Sequence, residues 1–239
     1  MIELVFFDAG DTILRPHPSF AELFAQVCRD EGREVKASDV QAIQDRIAPH
    51  LIDLAPGEED LEAISYFGSS GSEEESRRFW RYLYRRFLTE LHIADESLAD
   101  RLLEVFSHSG SYRLFDDVLP VFDELHSKGL RLGLISNFEG WLEELLVELE
   151  VGHLFDTKVI SGVDGVEKPD PAIYELALQR AGVPASAALH VGDSPVMDVE
   201  PARSIGLNVV LLDRLNRYPE VDCPKITSLE DLPRFVLKH

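Results

Sequence analysis

Four segments of the sequence carry side chains that could cooperate in nucleophilic or metal-assisted chemistry. In Val5-Phe6-Phe7-Asp8-Ala9-Gly10-Asp11-Thr12 an apolar run ends on a carboxylate followed by small, turn-forming residues. Asp8 is therefore a candidate nucleophile or metal ligand where the backbone opens toward a cleft. A second apolar run, 130–137, ends on Ser136 and Asn137, which could donate to an anionic oxygen. In Val166-Glu167-Lys168-Pro169-Asp170-Pro171 the prolines stiffen the chain and open a helix, which gives Lys168 a fixed position. The fourth segment, 188–198, breaks at Gly192 and carries Asp193 and Asp198, a pair suited to a hard cation with oxygen ligands.

Each of these residues also has an ordinary structural reading: a helix cap for Asp8 or Ser136, a solvated loop charge for Lys168, a turn residue for Asp193. Their shared placement outweighs it. Four strand-like runs ending in Asp8, Ser136, Lys168 and Asp193 put a nucleophile, an oxyanion donor, a cation and metal-binding acids along one sheet edge. Ligands of open parallel α/β sheets bind beyond the carboxyl ends of the strands.

The elements that must position them alternate. Periodicity predicts a helix over 117–128, strand 130–136, helix 139–150, a strand near 157–161, helix 171–182, strand 187–192, helix 195–205 and strand 207–212. Gly129, Gly152, Gly182 and Gly206 follow these helices as C-terminal breakers. A small strand at 225–227 and a last helix after Ser228 complete the tail. Between 19 and 106 only helical periodicity is found, over 18–32, 38–54, 72–92 and 95–107. Turns at 55–57 and 68–72 and a flexible linker at 107–111 separate or follow these helices. Aromatic residues of the third helix, Phe79, Trp80, Tyr84 and Phe87, read as bundle core. Arg77, Arg78, Arg81, Arg85 and Arg86 lie off that stripe, as ion-pairing surface. The organisation predicted is a doubly wound, Rossmann-like parallel-sheet core, 1–15 and 113–239, with a helical domain, 16–112, inserted after the first strand.

The 239 residues are 45% hydrophobic, enough for a core and a smaller module. A formal charge of −21 would repel nucleic acid and anionic lipid. No apolar run approaches a membrane span, no basic leader precedes the first strand, and Cys28 and Cys223 have no metal-binding spacing. A cytoplasmic protein is expected.

With the motifs at Asp8 to Thr12, Ser136, Lys168 and Gly192-Asp193 through Asp198, in that order and context, the chain resembles the haloacid dehalogenase superfamily. Ile135-Ser136-Asn137-Phe138, Glu167-Lys168-Pro169-Asp170-Pro171 and His190-Val191-Gly192-Asp193-Ser194 are similar to its REG-2-like branch. The resemblance implies covalent catalysis by Asp8 on a small phosphorylated substrate, through an aspartyl-phosphate. It also implies Mg²⁺ held by Asp8, Asp193 and the Gly10 carbonyl, with Asp198 as a direct or outer ligand. Lys168 and Ser136 would stabilise developing charge, and Thr12 and Asn137 would bind substrate, with the helical insertion as a cap.

One position departs from the pattern. The superfamily's phosphatases carry a second acid two residues after the nucleophile, where this chain has Gly10; Asp11 stands one step further. Asp11 can replace that acid only if the backbone turns sharply at Gly10. A halogenated substrate, whose halide leaves without a proton, and a non-catalytic binding role stay open as alternatives.

Overall fold

The structure is a computed structural model that describes residues 1–47 and 72–236. Strand β1 (Leu4–Phe7) is buried on both faces, the condition of a central parallel strand. There follow β2 (Leu14–Pro16), α1 (Phe20–Asp30), α2 (Ala37–Ile47), α3 (Glu73–Glu90), α4 (Glu96–Phe106), β3 (Tyr112–Leu114) and α5 (Val118–Ser127). Next come β4 (Arg131–Ser136), α6 (Leu142–Glu148), β5 (Thr157–Ile160), the single-turn α7 (Ser161–Asp164) and α8 (Ala172–Ala181). β6 (Ala188–Gly192), α9 (Glu200–Ser204), β7 (Asn208–Leu212), β8 (Lys225–Ile226) and α10 (Pro233–Val236) complete the order.

Six strands form one parallel sheet in the order β5-β4-β1-β6-β7-β8. The winding reverses at β1. Leu4 and Phe6 face one side, where they pack with Ile173, Tyr174 and Ala177 of α8 and Ala202 of α9. Phe7 faces the other, its ring 4.9 Å from Phe122 of α5, which lies 5.5 Å from Phe155. Helices on both faces make the sheet doubly wound and Rossmann-like, as the alternation predicts.

The chain divides into two compact units, Met1–Leu14 with Leu114–His239, and Arg15–Arg113. It passes between them in β2 and β3, which pair with each other and which periodicity did not foresee. In the second unit Ser19, Ser72 and Asp95 cap α1, α3 and α4 by accepting backbone N–H bonds. Its core holds Phe24, Val40, Ile43, Phe79, Tyr84, Phe87, Leu102 and Phe106. The aromatic stripe is thus packing, while Arg81 and Arg85 pair with Asp100 and Glu96 of α4.

Several boundaries differ from expectation. The helix predicted over 38–54 is described to Ile47; its remainder, the turn at 55–57 and the linker at 68–72 except Ser72 lie outside the described residues. The segment predicted as a linker at 107–111 bonds back to the end of α4: Ser111 Oγ donates to Val105 O at 2.6 Å and the following Tyr112 Oη to Phe106 O at 2.8 Å. After α6 the left-handed residue is Glu150, at φ 59°, not Gly152, which packs against Leu146. No described helix is long and apolar enough to cross a membrane.

Candidate active site

Parallel register gathers the site. Phe7 pairs with Leu134 on one side and Val191 on the other, and the Asp8 N–H continues the ladder to Val191 O at 2.9 Å. Asp8 therefore leaves the sheet at the same edge as Ser136, which ends β4, and Asp193, which follows β6.

Lys168 reaches that edge differently from the prediction. The segment 166–171 is a loop after α7 and not a strand, because its two prolines cannot donate to a ladder. Asn137 holds the loop: the Lys168 N–H donates to Asn137 Oδ1 at 2.7 Å, and Asn137 Nδ2 donates to Lys168 O at 2.9 Å. The side chain is 3% exposed, and its Nζ lies 2.6 Å from Asp8 Oδ1 and 2.6 Å from Asp198 Oδ1.

Asp198 is 2% exposed and aimed inward. Its Oδ1 also accepts from His190 Nε2 at 3.0 Å, and its Oδ2 accepts the Ser194 N–H at 3.0 Å. The expected helix over 195–205 is split to allow this: Pro195–Val199 is one wide π-helical turn, and α9 begins only at Glu200. Gly192 makes the room, since a Cβ there would stand 2.2 Å from the Asp198 carboxyl carbon.

Charge follows from this packing. Burial pushes Asp8 up to about 6, with Lys168 pulling down and Asp198 pushing up. Burial also opposes ionisation of Asp198, but Lys168 and His190 outweigh it and hold the carboxyl well below its usual range. Burial would lower Lys168, yet Asp198 and Asp8 raise it further, so the ammonium is retained. Burial lowers the pKa of His190, against the pull of Asp198, and its buried Nδ1 has no partner among the described residues. Half-buried Asp193 is pushed well up by burial and by the charges of Asp11, Asp198 and Asp8.

Asp11 thus lies within electrostatic reach of Asp193. The turn that brings it there is at Asp11 itself, with φ 53°, and not at Gly10. Its N–H bonds to Leu14 O at 2.8 Å, and the Ile13 N–H closes on Ala9 O at 2.9 Å. Aspartate tolerates this left-handed conformation better than most residues. Thr12 is fully buried, and its hydroxyl has no partner among the described residues.

The donor set fits Mg²⁺. Four carboxylates repelling one another at a sheet edge favour a hard dication, and Mg²⁺ takes one or two carboxylates, waters and substrate oxygens. Among the described residues no group of three or more acidic, histidine or cysteine side chains is arranged to hold a metal unaided. Asp8 and Asp193, with a backbone carbonyl, could serve as its ligands. His190, read in the sequence only as part of a motif, bonds Asp198, a role for which a histidine inside a buried strand is a sequence signal; Arg214, which ties down the turn after Asp11, has no such signal.

The sequence model of a family described as haloacid dehalogenase-like hydrolase matches residues 2–206. Haloacid dehalogenase-like hydrolase domain-containing protein 3 of Danio rerio is 29% identical, over 97% of this chain and 95% of that protein. The phosphoserine phosphatase of Thermus thermophilus is 30% identical, over 89% of this chain and 89% of its own. Among solved structures, the L-2-haloacid dehalogenase RSc1362 superposes with a TM-score of 0.72 at 24% identity, covering 98% of each chain, and supports the fold.

Proposed function

As this chain belongs to the haloacid dehalogenase-like hydrolase family, we propose that it is a Mg²⁺-dependent phosphatase acting on a small phosphorylated metabolite, with Arg15–Arg113 as its cap. The observation that carries this reading is the buried Lys168, bonded at 2.6 Å to both Asp8 and Asp198 at the carboxyl edge of the sheet. Relatives named as phosphatases support the same class.

Asp8, oriented through Oδ1 by Lys168, attacks phosphorus. The bond from phosphorus to the leaving oxygen breaks, and Asp11 gives that oxygen a proton. Water then attacks the aspartyl-phosphate, Asp11 takes its proton, and phosphate leaves with Asp8 restored. Lys168 and Ser136 stabilise charge on the phosphoryl oxygens. Asn137 fixes the Lys168 backbone, and Asp198, gripped by His190, fixes its ammonium. Thr12, fully buried within the turn and held at its carbonyl by Arg214, supports the substrate site from within the turn and does not touch substrate. Asp8, Asp193 and the Gly10 carbonyl would hold Mg²⁺, with Asp198 as a direct or outer ligand, and the ion would supply neutralisation of phosphoryl charge. The charge of −21 disfavours polyanionic partners, and two unpaired cysteines suit the cytoplasm.

The glycine at position 10 also favours a second reading, a 2-haloacid dehalogenase, whose halide needs no proton. Asp193 weighs against it, because an unneutralised carboxylate repels an anionic haloacid. A panel of phosphorylated and halogenated small molecules, with and without Mg²⁺, separates the two. Phosphate release is expected only with Mg²⁺, and Asp8→Asn should lower it at least ~10³-fold with little change in Tm. Near-normal phosphate release by Asp8→Asn, or halide release without metal, would overturn the proposal.

A further inference from the structure

Arg214, two residues beyond the end of β7, binds the turn that carries Asp11 from behind. One Nη donates to Thr12 O at 2.9 Å, and the two Nη atoms hold Asp117 at 2.8 and 2.9 Å. The guanidinium carbon stands 3.9 Å from the centre of the Phe115 ring, and the Phe115 N–H donates to Ile13 O at 3.1 Å. Both carbonyls that follow Asp11 are therefore tied to this cluster, whose ion pair is largely buried at 17% and 10% exposure. The base of Arg214 is equally fixed. Its neighbour Asp213, 3% exposed, donates its N–H to Ile226 O and accepts the Arg217 and Tyr218 N–H groups at 2.7 and 2.9 Å.

Even for aspartate a left-handed conformation carries some strain, which the groups bonded around the turn help to hold. We propose that Arg214 is the positioning residue of Asp11, clamping the Thr12 peptide so that the Asp11 carboxylate stays directed at the leaving group. This rests on the reading of Asp11 as the proton donor. A planar guanidinium with several donors can satisfy a carbonyl and a carboxylate at once, which a lysine cannot.

In the full-length protein with Mg²⁺, kcat and KM for ethyl phosphate and p-nitrophenyl phosphate are compared for wild type, Asp11→Asn, Arg214→Met, Arg214→Lys and Asp117→Asn. Each is assayed at a temperature where its circular dichroism is native. Nitrophenolate leaves without help, whereas ethoxide needs a proton, so the ratio of the two rates reports proton donation and is insensitive to loss of folded protein. Asp11→Asn is expected to lower kcat for ethyl phosphate about 100-fold, and far less for p-nitrophenyl phosphate. Arg214→Met should show the same selectivity at about 10-fold, with KM little changed. Arg214→Lys, which keeps a donor for Thr12 O, should fall between and carries the test if the methionine variant does not fold. Asp117→Asn, which removes the ion pair but leaves the bond to Thr12 O, should keep the wild-type ratio. If Asp11→Asn slows both substrates equally, the reading of Asp11 fails and takes the inference with it. If Asp11→Asn is selective but the Arg214 variants are not, or Asp117→Asn matches them, the inference alone is overturned.

Discussion

At Gly10 an added Cβ would meet no atom within 4 Å, while Asp11 occupies a φ of 53° that glycine takes without strain. Exchanging the two, Gly10→Asp with Asp11→Gly, therefore asks little of the fold and moves the acid to two residues after Asp8. The double variant is expected to keep or raise turnover of ethyl phosphate, whereas Asp11→Gly alone should lose ~10²-fold or more. Steady-state kinetics on the two proteins decides it: a double variant no faster than the single one would show that position 10 cannot aim an acid at the leaving group. Gly192 is a residue of the opposite kind, where the missing Cβ is what admits the Asp198 carboxyl.

Between elements, Asp117 is a polar fastener. It accepts from Arg214, from Ser228 Oγ at 3.0 Å and from the Leu229 N–H at 2.9 Å, and so ties the start of α5 to the chain after β7 and to the tail. Burial opposes its ionisation, but the Arg214 hydrogen bonds, with those from Leu229 and Ser228, hold its pKa below the usual value. A depressed carboxylate contributes stability that is full above its unfolded pKa of ~3.9 and is lost as pH falls through the folded value. Asp117→Asn should cost about 2–3 kcal/mol at pH 7. Urea unfolding at several pH values should show this gap narrowing below pH ~4. A gap unchanged between pH 7 and pH 3 would mean that the charge of Asp117 contributes nothing.

For the whole molecule, the unit Arg15–Arg113 has its own core of aromatic and aliphatic side chains from α1 to α4, with rings such as Phe24 and Phe87 centred 5.5 Å apart. A unit with an internal core can fold alone. The isolated fragment 15–113 is expected to give a helical circular dichroism spectrum and a cooperative thermal transition; a featureless melt would show that its helices require the α/β unit.

Burial direction was legible in the sequence. Period-2 and period-3.6 patterns record which side of an element faces apolar neighbours, and that information is local. The runs into Asp8, Ser136 and Asp193, the four inserted helices, the aromatic core of α3 and the alternation of strand and helix were all readable from it, and together they specify a doubly wound sheet with the candidate residues at one edge. The choice of polar partners was decided only by the tertiary structure. Asn137 turns to the backbone of Lys168, 31 residues away, Arg214 reaches Thr12 across 202 residues, and His190 lies beneath Asp198. Lys168 arrives on a loop, and a π-helical turn directs Asp198 inward. A hydrogen bond needs its two groups within about 3 Å, and for residues so far apart in the chain that distance is set by strand register and helix packing, which no local pattern records.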